Sequence, residues 1–578
     1  MKHCSIVVVA GLFLSACSDD KTPGGSGGFG GSGGSGGAGG GGTVDAGRAD
    51  VSVDSGADVS ADSGAGTGGA GGSSSEGGGG RAGGGGTTTD SGAMDGGTSA
   101  DRAGNGDVVV VDRSTPLDVA DASKRDPFAP QPDTSEGLTN VSADLNAILE
   151  QGTLKGACAA YEADRTNRKK KLLCGKYMYF YEGFGTMGLP KPLMTWLMNS
   201  FPNEVGAGFE KLGLFTDPTS PDKLPLGFYV GKPFSTTNVE TEAFTCASCH
   251  FGKLPDGRFA VGAPNYAFQY GATNLMTALL PTMALPGADA AAHDPAALAV
   301  SQPLLDRMAA DPLIGLSLIA SVLPLLGTTL PAFTPENEHH YASWRTGTMD
   351  PFIQPLPLDD GVHVVHKVGN IWGNTNAAER AAVGMDGAML GYTAGTPSLY
   401  NFARGFAHLG GGDKSLWTDA KLEPFVEFLE SLRAPVNPNP PPASNVARGG
   451  ELFASQGCLN CHDGPRGMSR TLYEYSDIGV DDQLKRFADP NLTGAPCCGI
   501  ELEPGDTLTH KIKAPRLVGI WAFNRFLHNG SVDSLEQLFC LTPRPNVTEK
   551  AYGSQGHTYG CSAPEDDRRA IIDYLRSH

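Results

Sequence analysis

Two five-residue strings constrain this chain more than anything else in it: Cys246-Ala-Ser-Cys249-His250 and Cys458-Leu-Asn-Cys461-His462. Each has the C-x-x-C-H spacing by which a c-type haem is attached. The two thiols of such a string add to the porphyrin vinyl groups, and the histidine that follows is placed under the iron as its proximal ligand. A chain with two such strings must fold around two flat apolar discs that are fixed to it covalently. A zinc site is the other use of a Cys-x-x-Cys pair, but a Cys2His2 site needs a second ligand pair at short spacing, and neither string has one. The expected cofactors are therefore two covalently bound haem c groups. Cys246, Cys249, Cys458 and Cys461 are the attachment points, and His250 and His462 the iron ligands.

Much of the 578-residue chain is not expected to fold. Residues 1–17 read as a lipoprotein signal: Lys2, an apolar run from Ile6 to Leu14, then Leu14-Ser15-Ala16-Cys17. The run is too short to span a bilayer as a helix. Cys17 becomes the lipidated residue of an exported protein, a membrane partner by its N-terminal anchor. Ser18 follows it where an aspartate would retain a lipoprotein at the inner membrane of enteric bacteria. The expected location is the outer membrane of a Gram-negative cell, on its periplasmic or surface face. Residues 18–136 are Gly, Ser and Ala with scattered Asp, a composition that cannot bury enough apolar surface to offset ordering entropy. They read as a disordered tether. From Asp19 to Glu150 there are 20 acidic and 7 basic residues, net −13 of the formal −20, so the folded part is only mildly acidic. No basic stripe is present to neutralise phosphates, which argues against a nucleic-acid partner.

Twelve cysteines suit an oxidising compartment. Setting aside Cys4, Cys17 and the four of the two strings leaves Cys158, Cys174, Cys497, Cys498, Cys540 and Cys561. Six cysteines allow 15 pairings. Local spacing favours Cys158 with Cys174 and Cys540 with Cys561, and the vicinal Cys497-Cys498 stays ambiguous.

The expected fold is mainly α: two cytochrome c-like haem domains, the first enlarged by an insertion, preceded by the tether. The second domain, 443–578, has an opening amphipathic helix over Asn445–Gln456, then its haem string, then a closing helix over Pro564–Arg576. That last helix starts on Pro and acids and carries Ile571, Ile572 and Leu575 on one face. The first domain, 137–436, closes with a helix over Lys421–Arg433, and the Pro-rich run Ala434–Pro442 marks the boundary between the two. Inside the first domain, Leu275–Leu285 and Leu313–Leu330 are nearly free of charge. Pro324 and the Gly and Thr residues argue against a membrane span. The run is expected to be buried core, or an apolar wall beside the first haem that suits an apolar substrate or a partner.

Function turns on the sixth iron position, since a protein ligand there makes an electron-transfer haem and an open one binds oxygen or peroxide. For the second haem the candidates are Met468, His510, His528 and His557. His557 stands in a glycine-flanked loop, Gln555-Gly556-His557-Thr558-Tyr559-Gly560. For the first haem they are His293, His339, His340, His363, His366 and His408, and each of these is more often an ordinary surface or core histidine.

The string Ala514-Pro-Arg516-Leu-Val-Gly-Ile-Trp521, with Leu527-His528-Asn529-Gly530-Ser531, resembles the C-terminal signature of the bacterial di-haem cytochrome c peroxidase and MauG superfamily. The loop of His557 and the Ile571-Ile-Asp-Tyr-Leu575 helix are most similar to its di-haem rubber oxygenases. The resemblance implies that His557 completes a bis-histidine second haem and that His528 supports the loop. It also implies that Trp372, in Ile371-Trp372-Gly373-Asn374-Thr375-Asn376, is an electron relay between the haems; the plain alternative is a core tryptophan. Peroxidase relatives hold a Gln and a Glu over the open iron for proton handling, and no counterpart is evident here. The resemblance covers about Gly227 to the C-terminus.

The expectation is a di-haem c-type cytochrome oxidoreductase. It activates peroxide or oxygen at the first haem with electron transfer through the second, and its partners are a small-molecule oxidant and an electron donor or apolar organic substrate. The alternative is a non-catalytic electron carrier with both haems six-coordinate. The substrate is not readable from the residues.

Overall fold

The structure, a computed structural model, describes Phe128 and residues 131–578 apart from 235–236, 284–287, 323–333, 350–363, 386–389, 489–501, 508 and 547–552, with the backbone of 5–9 and 12–16. The side chains of 278, 281–282, 322, 409 and 486–488 are also outside it. Cys17, the tether up to residue 127, the apolar stretch beyond Val322, His363 and the Cys497-Cys498 pair lie outside the described residues.

The described chain is mainly α. Its longer helices are α1 (Arg168–Tyr181), α2 (Lys191–Ser200), α3 (Tyr270–Met283), α4 (Pro295–Ala310), α5 (Pro312–Val322), α6 (Pro335–Ser343), α7 (Leu399–Leu409), α8 (Asp419–Ser431), α9 (Ala443–Ser455) and α10 (Glu565–Arg576). Short strands staple the connections: β1 (Val141–Ser142), β2 (Leu189–Pro190), β3 (Phe228–Val230), β4 (Thr241–Phe244), β5 (Phe251–Lys253), β6 (Phe259–Val261), β7 (Thr348–Met349) and β8 (His366–Lys367). They form antiparallel sheets in the orders β1-β6-β5, β2-β4-β3 and β8-β7, with Phe228 opposite Phe244, Phe251 opposite Val261 and His366 opposite Met349.

Two helix crossings organise the fold. α9 packs on α10 around the second string, and Gly449 is what lets them meet: a Cβ there would stand 2.0 Å from the carbonyl oxygen of Ala570. α1 packs on α8 around the first string by the same device, since a Cβ at Gly175 would stand 2.1 Å from the carbonyl oxygen of Pro424. The opening helix of the first crossing was not apparent in the sequence. It lies well upstream of its haem string, whereas α9 leads almost directly into Cys458. The acids Glu565, Asp566 and Asp567 in the first turn of α10, and Arg576 in the last, complement the helix dipole.

The folded part reaches back beyond residue 137. Phe128 is buried, stacked on His578 at 4.2 Å and edge-on to Phe453 and Tyr574. Gln131 donates to the Glu430 carbonyl, and Arg168 donates to that of Thr134. An isolated aromatic that finds a pocket holds this segment down although its composition is that of a linker.

The cysteines pair as Cys158–Cys174 and Cys540–Cys561. No helix among the described residues is long and apolar enough to cross a membrane. Leu275, Leu279 and Leu280 of α3 are buried, in a cluster that also holds Cys249, Phe244 and Tyr270. α5 buries Leu318 but leaves Leu313 71% exposed.

Candidate functional site

Four described cysteines form disulfides, and the four left free are Cys246, Cys249, Cys458 and Cys461. Burial pushes the thiols of Cys246 and Cys249 up to about 12 and that of Cys458 to about 11. All four stand as unpaired thiols at the two strings.

Both histidines are prepared in one way. His250 Nδ1 lies 2.8 Å from the carbonyl oxygen of Gly369, and His462 Nδ1 lies 2.5 Å from that of Gly467. A carbonyl only accepts, so each Nδ1 carries the proton and each Nε2 offers its lone pair. A metal-binding histidine is oriented by this kind of second hydrogen bond. Burial pushes His250 down to about 4, against the Gly369 bond, and lowers His462 as well. Both rings are therefore neutral, ligand-competent imidazoles. The residues fit a haem at each string. Haem c, when bound, supplies one-electron chemistry and, with an open axial position, reactivity toward oxygen or peroxide.

Each string is gripped by its own helices. From α1, Tyr179 donates to the His250 carbonyl through its hydroxyl, which also accepts from the Gly262 amide. Thr245 just before Cys246 donates to the Phe180 carbonyl. In the second region Phe453 of α9 lies 6.1 Å from the His462 ring.

His557 is a loop histidine within electrostatic range of His462. Burial pushes its imidazole down to about 4, and the neighbouring His462 adds to the shift. Its Nδ1 is shut from solvent without a partner. Its backbone has φ +44°, a strained conformation for a non-glycine residue. The surroundings enforce that conformation. Arg544 donates to the carbonyls of Gln537, Leu538, Ser554, Gly556 and His557, and the Cys540–Cys561 bridge closes the loop. A Cβ at Gly556 would strike the Gly479 backbone at 2.4 Å. His528 is engaged elsewhere: its Nε2 lies 3.3 Å from Asp481 Oδ1, and its carbonyl accepts from the Lys367 amide. Its neighbours Asn529 and Ser531 both donate to the Gly553 carbonyl. Met468 is fully buried with its sulfur 3.9 Å from Lys513 Nζ.

Trp372 is 0% exposed, and its indole N–H donates to the Val261 carbonyl at 2.7 Å. Gly262 approaches one part of the ring and Gly519 another, and Phe523 stacks on it at 6.3 Å. Gly262 is bonded to His250, and Leu517, two residues before Gly519, is bonded to Arg466 beside the second string. The ring is thus a core tryptophan by packing, and it also bridges segments tied to each string.

The other histidines separate clearly. His293 bonds Glu338, His339 bonds Asp294, and His340 accepts from the Trp344 indole. His366 is pushed down to about 4 by burial, with His250 and His528 close enough to add to the shift.

The sequence profile of a family described as "RoxA-like, cytochrome c-like" matches residues 512–548. A cytochrome c-like domain is present, and it points to covalently bound haem c. The matched segment carries Lys513, Arg516, Trp521, His528 and Arg544. Hydrazine synthase of Kuenenia stuttgartiensis, in a structure pressurised with xenon, aligns over 41% of this chain and 79% of its own, at 15% identity and a TM-score of 0.24. No curated protein sequence matches the chain.

The sequence reading missed Gly369 and Gly467, which orient the ligands through backbone carbonyls. Such a role leaves no residue-type signature, apart from the glycines themselves.

Proposed function

We propose that the chain is a di-haem c-type cytochrome oxidoreductase, with haem domains over about 137–436 and 443–578. The observation that carries this reading is the matched pair of bonds His250–Gly369 and His462–Gly467. Two unrelated stretches of chain present a neutral Nε2 beside a free Cys-x-x-Cys pair. The protein is exported, anchored through Cys17, and acts with a small-molecule oxidant and an electron donor or apolar organic substrate.

The two centres are given different tasks. His557 serves as the second axial ligand across from His462, making that haem an electron-transfer centre. The first haem keeps its sixth position open and is where peroxide or oxygen is activated. His366 is the described histidine nearest to overturning this. Its Nδ1 lies 2.9 Å from the Lys367 carbonyl oxygen, which leaves its Nε2 lone pair available, so His366→Ala is the control: a first-haem spectrum unchanged by it keeps the sixth position open. The buried cluster around Cys249 supports a dry, apolar surrounding for the reactive centre, and Trp372 carries electrons between the two.

Carbon monoxide and cyanide binding to the reduced and oxidised protein tests the reading. One haem should bind them and the other should stay low-spin. Binding by neither would replace the enzyme with the carrier. His557→Ala should convert the low-spin haem to high-spin, and Trp372→Phe should slow reduction of one haem through the other.

A further inference from the structure

Between the two strings lies a buried group of cations with too few carboxylates. Lys513 is 6% exposed, its ammonium touches the Met468 sulfur at 3.9 Å, and no described carboxylate pairs with it. Arg516 donates to the Asn370 carbonyl at 3.1 Å, while its Nε is shut from solvent without a partner. Arg466 pairs with Glu379 at 2.8 Å, and its Nε is orphaned in the same way. Arg380 is spent on the carbonyls of Thr375 and Pro397. Burial, then the charges of Arg516 and Arg380, pushes Lys513 down to about 7, and burial followed by Arg466 pushes Arg516 to about 10. Buried charge of one sign is costly unless an opposite charge is supplied.

The location says what supplies it. Asn370, which receives Arg516, follows Gly369, the orienter of His250. Met468, which meets Lys513, follows Gly467, the orienter of His462. The Arg466 carbonyl accepts from the Leu517 amide, and Gly373 beside Trp372 lies against the Arg466 stem. The cations thus line the space next to segments that orient both proximal histidines, within reach of the acidic propionates a bound haem would carry.

We propose that Lys513 and Arg516, with the unpaired N–H of Arg466, form a buried anion site that receives the propionate carboxylates of the haem held at Cys458, Cys461 and His462. The site fixes the rotation of that haem in its pocket. It also places positive charge beside it, which favours the reduced iron. The inference rests on haem attachment at the second string.

The test uses the full haem-loaded chain, grown on 5-aminolevulinate labelled with 13C so that the propionate carboxyls are marked. Redox-difference infrared spectra and midpoint potentials are compared for wild type, Lys513→Met and Arg516→Gln at equal haem content. The labelled carboxylate bands should shift in both variants. The potential of one haem should fall by at least a tenfold change in its reduction equilibrium, about 59 mV for one electron. Lys513→Arg should restore both. Unmoved bands and potentials overturn the proposal. So does a potential that tracks added chloride or phosphate while the labelled bands stay fixed, because the anion then comes from solution. If Lys513→Met fails to load haem, Arg516→Lys keeps the charge, removes the fork and is judged on the same bands. Absence of haem from the wild type at the second string would instead refute the underlying reading.

Discussion

His462 takes its orienting carbonyl from Gly467, five positions on, while His250 takes its own from Gly369, 119 positions away. The same difference runs through both regions. The second string is entered directly from α9 and closed by α10, and its partner loop is tied by Arg544 and the Cys540–Cys561 bridge. The first is gripped by α1 from far upstream and closed by α8 from far downstream, with β4–β6 and the α2–α6 insertion between. Equivalent ligand chemistry can thus rest on a compact local module or on distant segments brought together. The local one has a buried loop histidine, His557, and the assembled one has an apolar cluster.

The comparison breaks most visibly at the cofactor. Replacing Cys246 and Cys249 by serine, or Cys458 and Cys461, should halve the covalent haem measured as the pyridine haemochrome, with the remaining haem keeping the spectrum of its own centre. If either double variant retains both haems or loses both, the regions are not independent. A smaller effect is expected at the crossings. Gly449→Leu and Gly175→Leu each drive a side chain into backbone, so each should cost about 3 kcal/mol, the upper end for overpacking, read as a shift in denaturation midpoint. The first should disturb the low-spin haem and the second the other.

One pH dependence is set by a carboxylate of the first region. Glu242, on the strand leading to Cys246, is 0% exposed; neither carboxylate oxygen accepts a hydrogen bond, and Lys191 Nζ lies 3.8 Å from Oε1 as a long ion pair. Burial raises it from 4.5 to about 7. Its folded pKa exceeds the unfolded one, so its contribution is fully present below about pH 4.5 and lost as pH rises to about 7, by about 3 kcal/mol at most. Glu242→Gln should flatten that slope in stability measured from pH 4 to 8; an unchanged slope assigns it elsewhere. The smallest effect concerns His528. His528→Ala leaves the buried Asp481 one donor short and should cost about 1–2 kcal/mol without changing the low-spin spectrum, whereas a high-spin signal would make His528 the ligand in place of His557.

The strings and the local helices were legible because their information is local: spacing in Cys458–His462, periodicity in Ile571, Ile572 and Leu575, glycines around His557. α9 and α10 begin or end within two residues of their expected bounds. α8 starts at Asp419 and not Lys421, since Thr418 already has the extended backbone of a cap. What escaped was long-range. α1 pairs with a helix more than two hundred residues on, so nothing in Leu172–Tyr181 marks it as half of a haem-region crossing. Phe128 is an isolated aromatic in linker-like sequence. The orphaned Nε atoms of Arg466 and Arg516 appear only once three distant segments converge.

The separation between His250 and Gly369 also has a consequence in time. A turn of five residues closes as soon as it is made, whereas a loop of 119 residues closes late and slowly. His462 is therefore oriented early in folding. The carbonyl of His250 is held locally by the Gly262 amide, but its ring gains an orienting partner only when Gly369 arrives, so the first string takes its backbone shape before its ligand takes its direction.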